Sequence, residues 1–325
     1  MRKVLKILSC SLIKNIKNIK NKFKFKNKNR RGLILVSVLM LGTLLISCAT
    51  AFTWFVRLQV RSVLRERVAL TNRSMAELLA DSIINAVARY TERTKGDSPI
   101  QPAYKPFIFP ADDLGTWVVM VSPLDDKLPI RNLFLPDGDT ERGELKKPWE
   151  DMWDAMRHRE MINLTLDFLD RNTKVRVGGN EREEFINRAP VDMSELLILS
   201  EMTQEILYGA GGLPGLNDYC TLWSGGKINL NTAPPRVLAL LPGLGAMQAA
   251  ALVEYRKDRV LRSFEDVQGV PGFTAKNATL LTNIAGFKSR YFSLRIEFLE
   301  ESAGGSSFNI IFDRNSKKIV RWEES

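Results

Sequence analysis

The stretch "RRGLILVSVLMLGTLLISC" (30–48) joins a basic segment to an apolar one. Residues 1–31 contain 12 Lys and Arg and no acidic residue. From Gly32 to Val56 the chain runs for 25 residues without a charge, which is long enough to cross a bilayer as a helix. A basic leader next to an apolar run is typical of a targeting or anchoring segment. The sequence therefore predicts attachment to a membrane.

The positive charge of the protein is confined to this leader. The formal net charge is +10, yet the residues after 31 hold 35 basic and 37 acidic side chains. This balance argues against nucleic acid as a partner of the folded part, because nucleic-acid binding depends on cationic contacts with phosphate. With the basic cluster kept inside, the C-terminal bulk is expected in the periplasm of a bacterium.

Three interpretations of the apolar run remain open. Leu45, Ser47 and Cys48 resemble the cleavage site of a lipoprotein signal, and the run also fits an uncleaved signal anchor. The third is a type IV prepilin-like leader, which a membrane peptidase would cut between Gly32 and Leu33. Only Cys220 lies beyond these segments, so an intrachain disulfide is not expected in the folded part.

A long amphipathic helix is predicted after the apolar run. Residues 57–94 contain no Pro or Gly, whereas residues 95–113 contain four Pro and one Gly and mark the exit from the helix. Apolar residues recur along one face of that helix at steps of three to seven, at Leu64, Val68, Met75, Leu79, Ile83, Val87 and Tyr90.

Strand patterns occur in two distant parts of the chain. Residues 116–123 and 128–136 flank an acidic turn and predict a hairpin. Residues 290–300, 306–314 and 317–323 alternate apolar and polar side chains and predict an antiparallel meander. Because residues 140–287 have a helical pattern, the expected fold class is α+β, with an all-α domain inserted into an antiparallel sheet.

The stretch "MINLTLDFLDRNTKVRVGGNEREEF" (161–185) is a candidate ion loop. Asp167, Asp170, Asn172 and Glu181 offer oxygen ligands, and two glycines allow the backbone to fold back. Hard cations such as Ca²⁺ prefer oxygen ligands, and no Cys or His is present to favour a softer ion. The alternative is a solvated acidic loop that caps a helix.

The stretch "KINLNTAPPRVLALLPGLGAMQAAALVEYRK" (227–257) has the pattern of a helix-hairpin-helix module. Prolines follow a capping Thr, and "LPGLG" turns the chain into a second helix. In DNA-binding hairpins such a turn brings backbone amides to phosphate. Here cationic support is thin, since the first hairpin offers Gln248 before Arg256 and the second has Thr274 in place of a glycine.

These motifs together resemble the minor pseudopilin K of the type II secretion system. The resemblance covers Gly32 to the C-terminus and depends on the leader, on "LDFLDRN…RVGGNE" (166–181) and on "KINLNTAPPRVLALLPGL" (227–244). The leader has Leu33 first and Ser37 fifth, where most pseudopilins have Phe or Met and then Glu, and absence of that Glu is itself a habit of this subfamily. Phe168 and Asn180 replace the usual Trp and Ala of the ion loop.

The resemblance implies a pilin-like fold, in which a long N-terminal transmembrane helix packs on an antiparallel sheet and an inserted helical domain contains a helix-hairpin-helix or SAM-like module. The implied domains are a leader (1–32), a transmembrane helix (33–56), a stem with the first strands (57–139), an inserted all-α domain (140–287, with the ion loop at 161–185 and the hairpin module at 227–285) and C-terminal strands (288–325).

The same resemblance implies a non-enzymatic tip component of the pseudopilus. Its expected partners are minor pseudopilins I and J, the prepilin peptidase and the inner membrane, and it would carry structural Ca²⁺ at Asp170, Asn172 and Glu181, with Asp167 less secure. His158 is the only histidine, and no nucleophile has an evident base. Two rivals stay open: a membrane-tethered DNA receptor for DNA uptake, and a lipoprotein adaptor.

Overall fold

The computed structural model describes residues 2–111, 115–299 and 305–325, with side chains described from residue 34 onward. One helix, α1, extends from Arg2 to Thr94. The chain divides into two compact units, one ending at Thr71 and the other comprising Asn72–Ser325. The expected cleavage site at Gly32 and Leu33 falls outside the described side chains.

The first unit exposes an apolar helical surface. From Ile34 the helix contains an 18-residue window with a mean hydropathy of 2.3, and none of that window is buried. Leu39, Leu45 and Phe52 each expose more than half of their surface. A helix with this length and composition is compatible with a single-pass membrane anchor.

The second unit contains the remaining elements. The α-helices after α1 are mostly short: α2 (Gly143–Met156), α3 (Met161–Leu169), α4 (Gln204–Tyr208), α5 (Leu216–Tyr219), α6 (Pro235–Leu238), α7 (Ala246–Tyr255), α8 (Phe264–Gln268) and α9 (Ala275–Leu281). The strands are β1 (Phe107–Pro110), β2 (Thr116–Pro123), β3 (Leu128–Pro129), β4 (Cys220–Thr221), β5 (Ile228–Asn229), β6 (Ala285–Gly286), β7 (Tyr291–Leu299), β8 (Ser306–Asp313) and β9 (Lys318–Glu324). Short 3₁₀ turns cover Pro102–Tyr104, Ile130–Asn132 and Met193–Ile198.

An antiparallel five-stranded sheet in the order β1-β2-β7-β8-β9 packs against the last turns of α1. Alternating residues of the sheet face the helix, as the pleat requires. Ala76 and Ala80 are fully buried there and join Ile84 and Val87 in one core with the sheet. The predicted helix over residues 57–94 and the C-terminal meander are confirmed. The predicted apolar face of that helix is buried only in its later part, because Leu64, Val68 and Met75 are exposed.

The inserted region has its own larger core. Trp149, Met152 and Trp153 from α2 and Phe168 from α3 are fully buried, and this core continues into the hairpin module. The insert also contains two short parallel strand pairs, β3 with β4 and β5 with β6. The insert is therefore predominantly helical rather than strictly all-α.

The predicted hairpin between residues 116–123 and 128–136 is wrong. The strand β2 instead pairs with β1 and with β7, and β3 pairs with β4. The reason is topological: the chain leaves the sheet after Pro123 and returns at Tyr291, so the strand that follows β2 in sequence belongs to the insert. Consequently the insert occupies the whole interval between β2 and β7, and it begins before residue 140.

Candidate functional site

The predicted ion loop is organised around a buried carboxylate at the end of α3. Asp167 lies in the last turn of that helix and Asp170 directly follows it, and both side chains are fully buried. The preceding residues of α3 are apolar and hold its inner face in the core. The helix therefore carries two carboxylates out of water at its C-terminal end.

An arginine that the sequence analysis did not single out lies among these carboxylates. The Arg176 guanidinium contacts Asp170 Oδ2 and donates to Asp167 Oδ1 over 2.7 Å. It also donates to Glu141 Oε1 over 3.2 Å, and the Arg176 amide donates to Asp167 Oδ2 over 3.1 Å. One internal cation thus links two predicted ligands to a residue from the start of the insert.

The other two predicted ligands lie beside this group. The side-chain amide of Asn172 donates to Asp170 Oδ2 over 3.2 Å, and Asn172 Oδ1 accepts from the backbone amide of Lys174 over 2.7 Å. Glu181 is close enough to Asp170 and Asp167 for their negative charges to raise its pKa. The geometry therefore brings Asp167, Asp170, Asn172 and Glu181 into one cluster.

Two oxygen atoms in the cluster are buried without a hydrogen-bond donor within the described part of the chain. They are Asp170 Oδ1 and Glu181 Oε1. Burial raises the pKa of Asp170 and of Glu181, because desolvation disfavours the charged form of a carboxyl group. The Arg176 guanidinium contacts the carboxylates of Glu141, Asp167 and Asp170, and Glu181 lies near enough to interact with them electrostatically, so acidic side chains outnumber the guanidinium in this cluster.

Gly179 is needed for the loop to close over Asp167. A Cβ atom at this position would overlap Asp167 Oδ2 and would lie 2.9 Å from Asp167 Cγ. Gly178, in contrast, has a φ of +81° and no heavy atom near a Cβ built on it. One glycine is therefore required by close approach and the other by backbone conformation.

The acidic side chains of the cluster are not arranged as a metal centre. Over the described residues, no group of three or more such side chains has positions suited to holding one ion. This fits the contacts above, because Arg176 lies between the carboxylates. Calcium binding at this loop stays a prediction.

The hairpin module folds as two short helix pairs whose turn amides already have partners. The Gly245 amide donates to Gln248 Oε1 over 3.2 Å, and the Thr274 amide donates to Asn277 Oδ1 over 3.0 Å. The Asn277 side chain also reaches back to the carbonyl of Gly243. The two turns are therefore joined to each other by side-chain contacts.

The asparagines of "INLN" connect this module to the pilin-like part of the second unit. Asn229 is fully buried and donates to Asp97 O over 3.1 Å and to Ser289 Oγ over 2.9 Å. Asn231 donates to Leu261 O over 2.8 Å and accepts from the Leu261 amide over 2.8 Å. The most specific motif of the sequence thus makes internal contacts with the exit of α1, the entry to β7 and the loop before α8.

Two buried aspartates complete this junction, and neither was singled out from the sequence. Asp97 Oδ2 accepts from the Ser289 amide over 2.7 Å, and Asp97 Oδ1 accepts from the Tyr104 hydroxyl over 2.8 Å. Asp125 accepts from the amides of Gly225 and Arg290 over 2.5 and 2.8 Å. Asp97 follows the helix and Asp125 follows β2, so both lie where the chain passes between sheet and insert. Their position near Gly and Pro residues was the only local sign that these aspartates lie at turns. Most of the groups that donate hydrogen bonds to them are distant in sequence, so the contacts themselves could not be predicted.

The chain is thus an α+β protein in which a long, exposed apolar helix continues into a stem packed on an antiparallel sheet, with a helical insert. Comparison with known proteins agrees with this description. Residues 224–288 match the family described as "Helix-hairpin-helix motif". No curated protein matches the sequence significantly.

Among solved structures, the fold is similar to a chain in the crystal structure of the GspK-GspI-GspJ complex from the enterotoxigenic Escherichia coli type 2 secretion system. The TM-score is 0.59 and the sequence identity is 16%. The alignment covers 82% of this chain and 99% of the other. The pilin-like fold expected from the resemblance to pseudopilin K is therefore confirmed, although the sequence identity is low.

Proposed function

We propose that this chain is a non-enzymatic minor pseudopilin of a type II secretion system and that it forms part of the pseudopilus tip. The observation that carries this proposal is the fold, which is shared with a chain of the GspK-GspI-GspJ complex over 82% of the present chain. The exposed apolar surface of α1 supports a membrane anchor. The bulk of the protein would then lie in the periplasm and assist the export of folded proteins.

A tip position has a steric argument in its favour. The insert between Pro123 and Tyr291 is larger than the sheet that carries it. A subunit repeated along a filament shaft would have to accommodate this bulk at every turn, whereas a single copy at the end would not. The partners expected on this basis are the I and J minor pseudopilins.

The assembly can be tested by co-purification and cross-linking. The full-length chain, expressed with the I and J pseudopilins of the same organism, should co-purify with both in detergent at one copy per complex. Cross-links between copies of this chain along a shaft would contradict a tip position. In the same preparation the intact mass should correspond to a chain beginning at Leu33, whereas a lipid-modified chain beginning at Cys48 would support the lipoprotein alternative.

We further propose that the cluster around Asp170 binds a structural Ca²⁺. Asp170, Asn172 and Glu181 would hold the ion, with Asp167 and backbone carbonyls completing the oxygen shell. The two buried oxygens without donors, on Asp170 and Glu181, fit a cation. Bound calcium would neutralise carboxylates that Arg176 alone leaves in excess, and the loop would be more stable in consequence.

Calcium binding should raise the melting temperature of the full-length chain in detergent. A ligand at one hundred times its dissociation constant stabilises the folded state by about 2.7 kcal/mol, which corresponds to roughly 5–10 °C for a domain of this size. Asp170→Ala should abolish most of the difference between calcium and chelator, while the exposed Asp258→Ala control retains it. Equal melting temperatures of the wild-type chain in both conditions would contradict the proposal without affecting the pseudopilin assignment.

A further inference from the structure

A small pocket on the insert has three arginines at its rim. The cavity measures about 150 Å³, and the charged residues that line it are Arg131, Arg171 and Arg188. Its remaining lining is apolar and includes Ile130, Phe134 and Leu169. No acidic side chain appears among the described residues that line it. The pocket thus combines an apolar wall with an excess of guanidinium groups.

Only one of the three guanidinium groups is neutralised. Arg188 forms a two-point contact with Glu195, with distances of 3.0 and 3.1 Å. Within the described chain, Arg131 and Arg171 form no ion pair; Arg131 lies over the ring of Trp223 at 5.8 Å. These two arginines carry the uncompensated charge at the pocket.

The carboxylate of Asp137, in the turn that precedes Gly138, is engaged by its own turn. Asp137 accepts from the Thr140 hydroxyl over 2.6 Å and from the amides of Asp139 and Thr140 over 3.0 Å each. Hydrogen bonds from Thr140 and Asp139 lower the pKa of Asp137, and the charge of Arg171 adds a smaller lowering effect, but the two side chains form no ion pair in the described part of the chain. The oxygens of Asp137 are therefore already engaged by the turn in which it lies, and an anion from outside can compete for Arg171.

The backbone fixes the position of Arg171. Its amide donates to the Gly138 carbonyl over 3.0 Å, and a Cβ built on Gly138 would meet the Arg171 side chain at 3.1 Å. Because Gly138 has a φ of +83°, the turn that supports Arg171 depends on glycine. The backbone of Arg171 is thus held by a defined turn, and its exposed side chain lines the pocket.

We propose that this pocket binds a carboxylate attached to a small apolar group, as presented by the C-terminus or an acidic side chain of a partner polypeptide. Guanidinium groups match the planar carboxylate and pair with it more strongly than neutral donors do. A cavity of this size accepts one side chain and not a drug-sized ligand. The apolar wall then favours a carboxylate that carries a hydrocarbon neighbour over a fully hydrated anion.

Calorimetric titration of the full-length chain in an uncharged detergent tests the proposal. The probes are acetyl-Ala-Leu with a free carboxylate, the same peptide as its amide, acetyl-Glu-Leu-amide, and inorganic phosphate. The free acid or the glutamyl peptide should bind, and the stronger of these two identifies the source of the carboxylate. The acetyl-Ala-Leu amide should bind at least about tenfold more weakly, as loss of a charged hydrogen bond predicts.

The test variant carries both R131Q and R171Q. The control variant is R262Q, which removes one positive charge from an exposed site in the hairpin module. The double variant should lose about tenfold or more in affinity for the carboxylate probe, with an unchanged melting temperature, whereas the control should bind normally. The proposal is overturned if neither carboxylate probe binds, if the acetyl-Ala-Leu amide binds as tightly as the stronger carboxylate probe, if phosphate binds as tightly as that probe, or if the double variant binds like the wild type.

Discussion

Replacing Asn229 should destabilise the second unit more than its small size suggests. The side chain of Asn229 is fully buried and makes three hydrogen bonds. It donates to Asp97 O and Ser289 Oγ, and its oxygen accepts from the Asn231 amide over 2.9 Å. Asn229→Ala removes all three hydrogen bonds. The three partner groups are then left buried without a hydrogen bond, because water has little access to this position.

The expected magnitude follows from these contacts. A buried polar group left without a partner costs about 1–3 kcal/mol, so three of them cost at least about 3 kcal/mol. For a folded unit of this size, each kcal/mol lowers the melting temperature by roughly 2–4 °C. Asn229→Ala should therefore lower it by about 6–12 °C.

The measurement is a thermal melt of the full-length chain in detergent. Asn217→Ala is the control, because Asn217 is exposed and makes only a backbone contact, through its carbonyl, with Lys127. Asn229→Asp retains the acceptor but replaces the donor with a carboxylate facing the Asp97 carbonyl, so it should destabilise at least as much as alanine. A loss below about 2 °C for both Asn229 variants would refute the assignment of this residue as a junction.

Two further predictions concern the ion loop. Gly179→Ala should lower the melting temperature by more than Gly178→Ala, because the first places a methyl group against Asp167 and the second only strains the backbone; equal effects would contradict the close approach. The raised pKa values of Asp170 and Glu181 mean that their contribution to the stability of the calcium-free chain is fully present below the ordinary carboxyl pKa. This contribution is lost as the pH rises through the raised pKa values, so the melting temperature in chelator should fall over that range. The fall should be smaller for Glu181→Gln. A melting profile in chelator that is identical for wild type and Glu181→Gln would count against this.

Local patterns were sufficient to predict the elements with long, regular periodicity. The stem helix repeats its apolar residues without interruption by Pro or Gly, and the three C-terminal strands alternate cleanly between short turns. In contrast, β1 is a four-residue strand among prolines and carries no such pattern. Its pairing with β2, and that of β2 with β7, depends on tertiary contacts that no local window contains.

The ion loop illustrates the same limit at the level of side chains. Spacing and residue type brought Asp170, Asn172 and Glu181 into one hypothesis, and the structure does cluster them. Arg176 lies in the same segment, but the pattern "KVRV" does not indicate which direction its guanidinium takes. Glu141 contributes from 35 residues away in sequence. Residue type and spacing can therefore predict which acidic side chains cluster, whereas the position of a basic side chain among them becomes visible only in the fold.

The hairpin module of this chain is best explained by its internal contacts. The Arg256 guanidinium, at the end of the first hairpin, donates to the carbonyls of Leu230 and Ala233 over 2.6 and 2.7 Å, and burial lowers its pKa to about 10. The group stays charged at neutral pH, but it is buried and its nitrogens already donate to backbone carbonyls, so it is poorly placed to contact a phosphate. The Gly245 and Thr274 amides are capped by Gln248 and Asn277.

DNA binding should therefore be absent, and freeing the amides should not restore it. The chain with its basic leader (residues 1–31) removed and the Gln248→Ala variant of that chain are both expected to give no gel shift with duplex DNA at physiological salt. The reason is that the 35 basic side chains after residue 31 are balanced by 37 acidic ones, whereas phosphate contacts require an excess of positive charge. A shift by the variant alone would show that capping, rather than charge, suppresses binding. A shift by the leaderless wild-type chain would favour the DNA-receptor interpretation over the pseudopilin one, since the internal contacts of the module would then coexist with a nucleic-acid surface.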